Sequence, residues 1–262
     1  MIKAVFFDID GTLYDSDINY SNKSSLEAIK HLHEQGILIG LCTGRSRKEI
    51  LSVPKEILTL PFDIYITSGG TCSYLKDGTV LHRTYFTKEQ VERVLKIREA
   101  GDFDLDIGYL DDIDSGILWE CGTMGKINFD WYQIPVPKVR ELDASTVCHF
   151  MLAVGEAYHH LAPPYLEGLS YFSSSPYSID VYPPNVNKAN GIREALKSFG
   201  ITMDEVMAFG DSINDVEMLE EVGVGIAMGN GSENVKKIAH FVTKTMQEDG
   251  IMYALKKYEV LV

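Results

Sequence analysis

Short apolar runs alternate with longer mixed stretches that end in glycine, and this rhythm is regular at both ends of the chain but lost in its middle. Val5-Phe6-Phe7 is the first run and reads as a buried parallel strand. Ser24-Ser25-Leu26-Glu27 fits a capping box, Leu26, Ile29 and Leu32 then recur at helical spacing, and Gly36 suits the position just past a helix end. Residues 37–42 form a second strand run, 46–60 a helix broken near Pro54, and 63–67 a third short strand. This β-α-β-α-β alternation predicts an α/β fold with a parallel sheet and crossover helices.

The pattern changes at Lys76-Asp77-Gly78, which reads as a hairpin turn between strands at 73–75 and 79–85. Thr87-Lys88-Glu89-Gln90 caps a helix running to about Ala100. Short strand-like runs follow at 105–110, 117–120, 147–154 and 178–182, with only a weak helical segment at 156–161. The β-α rhythm returns at Lys188: Ile192, Ala195, Leu196 and Phe199 share a helical face ending at Gly200, and 206–210 is a strand. Val216 and Leu219 belong to a helix ended by Gly223, 224–228 is a strand, and a helix starts near Ser232. The predicted organisation is a discontinuous α/β core, residues 1–82 and 185–262, interrupted by an α+β insert at 83–184.

The 262 residues, 45% hydrophobic and 24% charged, suffice for a sizeable core. A formal net charge of −14, with no basic cluster longer than Arg45-Ser46-Arg47-Lys48, argues against nucleic acid or an anionic membrane as partner. It also means that any anionic substrate must be met by a few well-placed cations. Cys42, Cys72, Cys121 and Cys148 form no Cys-x-x-Cys pair, no histidine spacing suggests zinc, and reduced thiols are expected. The N-terminus shows no charged leader or cleavage site, and no apolar run approaches the length of a membrane span, so we expect a soluble cytoplasmic protein, monomeric or homodimeric.

Chemistry concentrates at the strand ends. The first strand runs into Asp8-Ile9-Asp10-Gly11-Thr12, the second into Thr43-Gly44-Arg45, and the strand at 206–209 into Gly210-Asp211-Ser212-Ile213-Asn214-Asp215, while Lys188 opens the helix after the insert. In a parallel sheet these strand ends share one edge, where ligand sites of open α/β sheets lie. Clustered carboxylates there repel one another and lose solvation, a cost that a hard divalent cation relieves, and oxygen ligands in this number suit Mg²⁺, with Ca²⁺ the alternative although no EF-hand loop is present. A cation beside a carboxylate, a threonine and a lysine has the parts needed for phosphoryl transfer. Taken singly, Asp211 and Asp215 also fit an N-cap and a first-turn charge, Lys188 a solvated helix residue, and Arg45 a surface or structural pairing.

In order and spacing the four segments resemble the four motifs of the haloacid dehalogenase (HAD) superfamily, and the insert resembles the cap of its Cof-type sugar-phosphatase branch. The resemblance implies a HAD-like Rossmannoid core with an inserted α+β cap. It implies a Mg²⁺-dependent phosphatase for small phosphorylated metabolites, sugar phosphates first among them. By position, Asp8 resembles the nucleophile and Asp10 the general acid and base, whose carbonyl also ligates the metal. Thr43 and Lys188 resemble the groups holding the phosphoryl oxygens, with Gly11, Gly44 and Asn214 beside the phosphate. Asp211 resembles a further metal ligand beside Asp8 and Asp10, and Asp215 a residue behind the ligands or one that binds the metal through water. Relatives often carry Asn-Gly after the third core strand where this chain has Thr67-Ser68-Gly69-Gly70-Thr71, which removes one side chain from the loop. The cap is expected to exclude water and select the leaving group, with hinges near 82–84 and 183–186. Within it, Asp111-Asp112-Ile113-Asp114 reads as a solvated acidic turn and His159-His160 as a helix surface pair, while the many aromatics, among them Trp119, Trp131 and Tyr132, are expected to be mostly core with some contacting the leaving group. A phosphomutase or phosphotransferase with the same chemistry is the alternative, and a non-catalytic phosphometabolite-binding protein a further one.

Overall fold

The structure is a computed structural model and describes residues 1–261 except 102, 112, 113 and 133. In chain order, β1 (Ala4–Phe7), α1 (Lys23–Glu34), β2 (Leu38–Cys42), α2 (Lys55–Leu58), β3 (Ile64–Thr67), β4 (Cys72–Leu75) and β5 (Val80–Arg83) precede the insert. The insert holds α3 (Lys88–Leu95), β6 (Leu105–Leu110), β7 (Ser115–Ile117), α4 (Thr123–Trp131), β8 (His149–Val154), β9 (Ser170–Ser175) and β10 (Ser178–Tyr182). After it come α5 (Lys188–Leu196), β11 (Val206–Gly210), α6 (Val216–Glu221), β12 (Val224–Ala227), α7 (Glu233–Ile238), β13 (Phe241–Val242) and α8 (Gly250–Lys257). Two compact units result, Met1–Arg83 with Asn187–Val262, and Thr84–Val186.

The first unit is built on one sheet of order β13-β12-β11-β1-β2-β3-β4-β5. Its strands are parallel from β13 through β3, and β4 and β5 extend it as an antiparallel hairpin. The period-2 alternation of β1 builds both layers. Val5 and Phe7 face a core with Ile29 and Leu32 of α1, Ile57 of α2 and Ile251 and Leu255 of α8, while Ala4 and Phe6 face one with Ile192 and Ala195 of α5 and Met218 and Leu219 of α6. Gly40 of β2 is a packing glycine, because a Cβ there would enter the Phe6 ring. The chain leaves β1 toward β2 and β3 on one side and returns through β11 and β12 on the other. β1 and β11 therefore flank the point where the winding reverses, which is where a crevice opens at the carboxyl ends.

The second unit is an antiparallel sheet, β7-β6-β8-β10-β9, with its own core of Phe86, Val91, Val94, Ile107, Phe150, Leu152, Ile179 and Val181. The Thr87–Gln90 capping box forms as predicted and opens α3.

Several local expectations are corrected. α1 begins at Lys23, not behind Ser24, because the Asn22 carboxamide accepts from the Ser24 and Ser25 amides and serves as the cap. The strand expected at 117–120 lies at Ser115–Ile117, and α4 and β9 carry too little periodicity to be read in advance. Phe199 lies past the end of α5 and is 40% exposed, outside the apolar face of the helix. Asp111 is not solvated: its side chain is buried and paired with Arg140 at 2.8 Å, while Asp112 and Ile113 of the same turn lie outside the described residues. His159 is anchored to the Val154 carbonyl and the Ser173 hydroxyl.

Candidate active site

Each strand end is turned by its own local chemistry. After β1, the Ile9 carbonyl accepts from the amides of Thr12, Leu13 and Tyr14 at 3.2, 2.8 and 2.9 Å, and the Gly11 amide donates to the Tyr14 carbonyl. This tight loop leaves Asp8 and Asp10 at its entrance. Gly11 is required twice over: its φ is +78°, and a Cβ would fall inside the Asp211 carboxylate. After β2, the Thr43 hydroxyl accepts from the Arg45 amide at 3.1 Å. The loop Ser68-Gly69-Gly70 then grips this turn, since the Gly69 amide donates to the Thr43 carbonyl and the Ser68 amide to that of Arg45. All three loop residues have positive φ, and a Cβ at Gly70 would strike the Asn187 carbonyl. The loop therefore lacks the expected Asn side chain but keeps a backbone clamp that packs against the start of α5.

Asn187 caps α5 by accepting from the Asn190 amide, which puts Lys188 in the first turn. After β11, the Asp215 Oδ2 accepts from the amides of Asp211 and Ser212 at 2.9 and 3.0 Å, and a Cβ at Gly210 would meet that carboxylate. The Ser212 hydroxyl orients Asn214 by donating to its Oδ1, leaving the Asn214 amide nitrogen directed at Gly44.

These turns converge on a buried ion cluster. The Lys188 ammonium, 1% exposed, donates to Asp8 Oδ1 at 2.8 Å and to Asp215 Oδ1 at 2.6 Å. Carboxylate oxygens of Asp8, Asp211 and Asp215 all lie within 4.8 Å of one another. Asp211 also accepts from the Thr12 hydroxyl through Oδ1 at 2.9 Å. Burial, helped by the charges of Asp215 and Asp10, pushes the Asp8 carboxyl up to about 7 despite the pull of Lys188. Burial, then Asp215 and Asp8, likewise hold Asp211 well above the usual carboxylate range. Burial alone would favour a neutral Lys188 amine, but the two carboxylates outweigh it and its pKa is raised. Burial also raises the nearby Cys42 thiol, so that sulfur stays protonated and inert.

The donor set fits a hard divalent cation. Three carboxylates face one ammonium, so two formal negative charges are uncompensated in a buried setting. Asp8 Oδ2 and Asp211 Oδ2 accept no hydrogen bond from the described residues, and neither does the Asp10 carbonyl. Both oxygens of Asp215 are already committed, to Lys188 and to two amides, so it braces the cluster from behind. A stability consequence follows. A carboxyl whose folded pKa lies above its unfolded value binds more protons in the folded state, so folding stability falls as pH rises from 3.8 through about 7. The metal-free protein should therefore lose several degrees of Tm between pH 4.5 and 7.5 through Asp8 and Asp211. Added Mg²⁺ should restore them, with a larger shift at pH 7.5 than at 5. A Tm insensitive to Mg²⁺ at both pH values would contradict this account.

The structure brings Asp8, Asp211, Asp215 and Lys188 into one cluster, with Gly11 against it and Thr43, Gly44 and Asn214 on the adjoining turns. Asp10 stands apart. Its side chain is 47% exposed, and both its oxygens are taken by Arg45, Nε to Oδ2 at 2.8 Å and Nη2 to Oδ1 at 2.6 Å. The Arg45 Nη1 is fixed in turn by the Ser52 hydroxyl at 2.9 Å. Reading Arg45 as a surface or structural pairing missed this partner, 35 positions away. Asn230 was also missed. It donates to the Gly11 carbonyl at 2.7 Å and accepts from the Met246 amide, tying the β1 loop to the segment before α8. Its only sequence signal is the Gly-Asn-Gly after the strand at 224–228.

A model of the haloacid dehalogenase-like hydrolase family matches residues 5–113 and 151–255. The chain belongs to this family. As a HAD member it is similar along its whole length to Bacillus subtilis (strain 168) YkrA, provisionally designated a phosphatase: 28% identical over 266 residues, covering 99% of this chain and 98% of YkrA. BT1666 of Bacteroides thetaiotaomicron, a phosphatase of the same superfamily, has a structure similar to this one with a TM-score of 0.89 and 29% identity, covering 99% and 96% of the two chains. The HAD subclass IIB sugar phosphatase BT4131 aligns with a TM-score of 0.84 and 28% identity, covering 98% and 99%. This HAD member is accordingly a phosphomonoester hydrolase, with the Rossmannoid core and inserted cap of its structural relatives. None of its helices, among the described residues, is long and apolar enough to cross a membrane.

Proposed function

We propose that this enzyme is a Mg²⁺-dependent phosphatase of small phosphorylated metabolites, with sugar phosphates the leading class, and that it works through an aspartyl phosphate on Asp8. The observation carrying this reading is the Asp8 carboxylate, beside Asp211 and held through one oxygen by Lys188, while its other oxygen accepts no hydrogen bond from the described residues. That is the arrangement a carboxylate nucleophile needs, oriented but not consumed. Sugar phosphates are favoured because BT4131, similar over nearly the whole chain, is a sugar phosphatase.

Asp8, Asp211 and the Asp10 carbonyl would hold the cation, which when bound supplies positive charge that lets an anionic nucleophile meet an anionic phosphate. Asp8 attacks phosphorus, its C–O–P bond forming as the bond to the leaving oxygen breaks. Lys188 stays beside Asp8 and offsets charge on the phosphoryl oxygens, with Thr43 and Asn214 donating hydrogen bonds from the turns on either side. Asp10 gives its proton to the leaving oxygen, then takes one from the water that cleaves the aspartyl phosphate and frees Asp8. Asp215 fixes Lys188 and the Asp211 turn.

Phosphate release should be measured on a panel of sugar phosphates, nucleotides and small phosphorylated acids, with Mg²⁺ and with EDTA. The expected result is release with Mg²⁺, lost in EDTA and restored by excess Mg²⁺, highest among the sugar phosphates. No release from any compound by folded, metal-loaded protein would overturn the reading. Transfer of phosphate to a sugar hydroxyl without free phosphate would replace it with a mutase.

A further inference from the structure

Arg45 has no place in the mechanism above, yet all three nitrogens of its guanidinium have partners at the edge of the site. Nε and Nη2 form a two-pronged contact with both Asp10 oxygens, and Nη1 is held by the Ser52 hydroxyl on the 3₁₀ turn Glu49–Ser52. Its backbone is equally constrained, the amide donating to the Thr43 hydroxyl and the carbonyl accepting from the Ser68 amide. The Arg45 side chain is 20% exposed, whereas that of Asp10 is 47% exposed. The contrast with Asp8 is informative. Asp8 is buried and held by Lys188, whereas Arg45 is the one side chain among the described residues that hydrogen-bonds the Asp10 carboxylate.

We infer that Arg45 is a positioning residue for the proton transfers of Asp10: its fork fixes the plane and direction of the half-exposed carboxyl so that one oxygen meets the ester oxygen of the leaving group. The inference rests on the reading of Asp10 as acid and base. A carboxylate offers about four lone-pair sites. The fork occupies one on each oxygen, which leaves another on each to carry the proton that passes to the leaving alcohol and is later regained from water. Lysine cannot reproduce this, since a single ammonium gives no planar two-point contact. The turn of Thr43-Gly44-Arg45 thereby serves two ends of the reaction, with Thr43 toward the phosphoryl group and Arg45 toward the leaving group.

The test compares a hexose phosphate, whose alkoxide must be protonated to leave, with 4-nitrophenyl phosphate, whose nitrophenolate leaves without a proton. The quantity read is kcat/KM, which reports only the steps through aspartyl-phosphate formation. Asp10→Ala, Arg45→Ala, Arg45→Lys and the double variant Asp10→Ala/Arg45→Ala are measured alongside the parent enzyme with Mg²⁺. Arg45→Ala should lose ~10- to 100-fold on the hexose phosphate, as expected for a misdirected catalytic group, and much less on the nitrophenyl ester. Arg45→Lys should recover only part of the loss. The double variant should be no slower than Asp10→Ala, because Arg45 acts only through Asp10. Equal losses on both substrates from Arg45→Ala, or an additive double variant, would overturn the role of Arg45 while leaving the acid reading in place, provided Asp10→Ala keeps its leaving-group bias. If Asp10→Ala itself shows no bias, the acid reading fails, and the inference about Arg45 fails with it.

Discussion

Asp8→Asn is expected to abolish turnover and to stabilise the metal-free fold. The amide has no carboxylate to attack phosphorus, so phosphate release should fall by ~10⁴-fold or more, the scale seen when a nucleophile is removed. The gain in stability has a separate origin. Burial and the neighbouring carboxylates oppose ionisation of Asp8, so above pH 7 the folded state carries a charge that the unfolded chain holds more cheaply. A neutral amide of the same shape removes that opposition, while Lys188 keeps its 2.6 Å bond to Asp215. The Tm of metal-free Asp8→Asn should therefore exceed that of the parent at pH 8, and the difference should vanish near pH 4.5. Such a trade is common where an active site is strained for its task. Turnover retained by a folded Asp8→Asn protein would eliminate Asp8 as nucleophile. A lower Tm at pH 8 would show that the Asp8–Lys188 bond outweighs the repulsion.

Lys188→Met should have the opposite sign on stability and the same sign on activity. Lys188 is the one cation in direct contact with Asp8 and Asp215 among the described residues, and it is buried with them. Taking away one partner of a buried ion pair strands the other charges, a loss of about 3–5 kcal/mol in typical cases. Denaturant unfolding at pH 8 should show a loss of this order. At pH 5 the loss should shrink, because Asp8 and Asp211, both held above the usual carboxylate range, take up protons there. Mg²⁺ should also recover part of the stability without restoring phosphate release, since a cation can neutralise the carboxylates but does not replace the ammonium on Asp8. A variant as stable as the parent at pH 8 would refute the charge account of the cluster. If the variant does not fold at pH 8, its recovery at pH 5 or with Mg²⁺ still tests that account.

Much of the core could be read directly because its elements are periodic and local. The alternation in β1 assigns Val5 and Phe7 to one layer and Ala4 and Phe6 to the other, and the i, i+3 spacing of Leu26, Ile29 and Leu32 marks the buried stripe of α1. Strands of this kind, joined by helices, leave few arrangements other than a parallel sheet. Once the sheet is parallel, Asp8, Thr43 and Asp211 must emerge along one edge. The insert was less legible. Its strands are short and its sheet antiparallel, and β9, Ser170–Ser175, has too few apolar residues to mark a buried face.

The sequence by itself marked the strand ends whose polar residues the fold gathers at the candidate site, because apolar runs ending in Asp, Thr or Gly are visible over a few residues. The capping of α1 by Asn22 was hidden by an equally good local alternative at Ser24, and only the geometry of the preceding loop chose between them. The partners of the charged groups were beyond any local pattern. Lys188 meets Asp8 across 180 positions, and Arg45 meets Asp10 across 35. These pairings depend on sheet order, on three consecutive positive φ values at Ser68, Gly69 and Gly70, and on the contact of Gly70 with the start of α5. The strength of a charge interaction depends on the distance between the groups and on how far both are removed from water. The identity of a charged residue is therefore set by the chain, but its partner, its burial and its protonation are set by the residues that folding brings beside it.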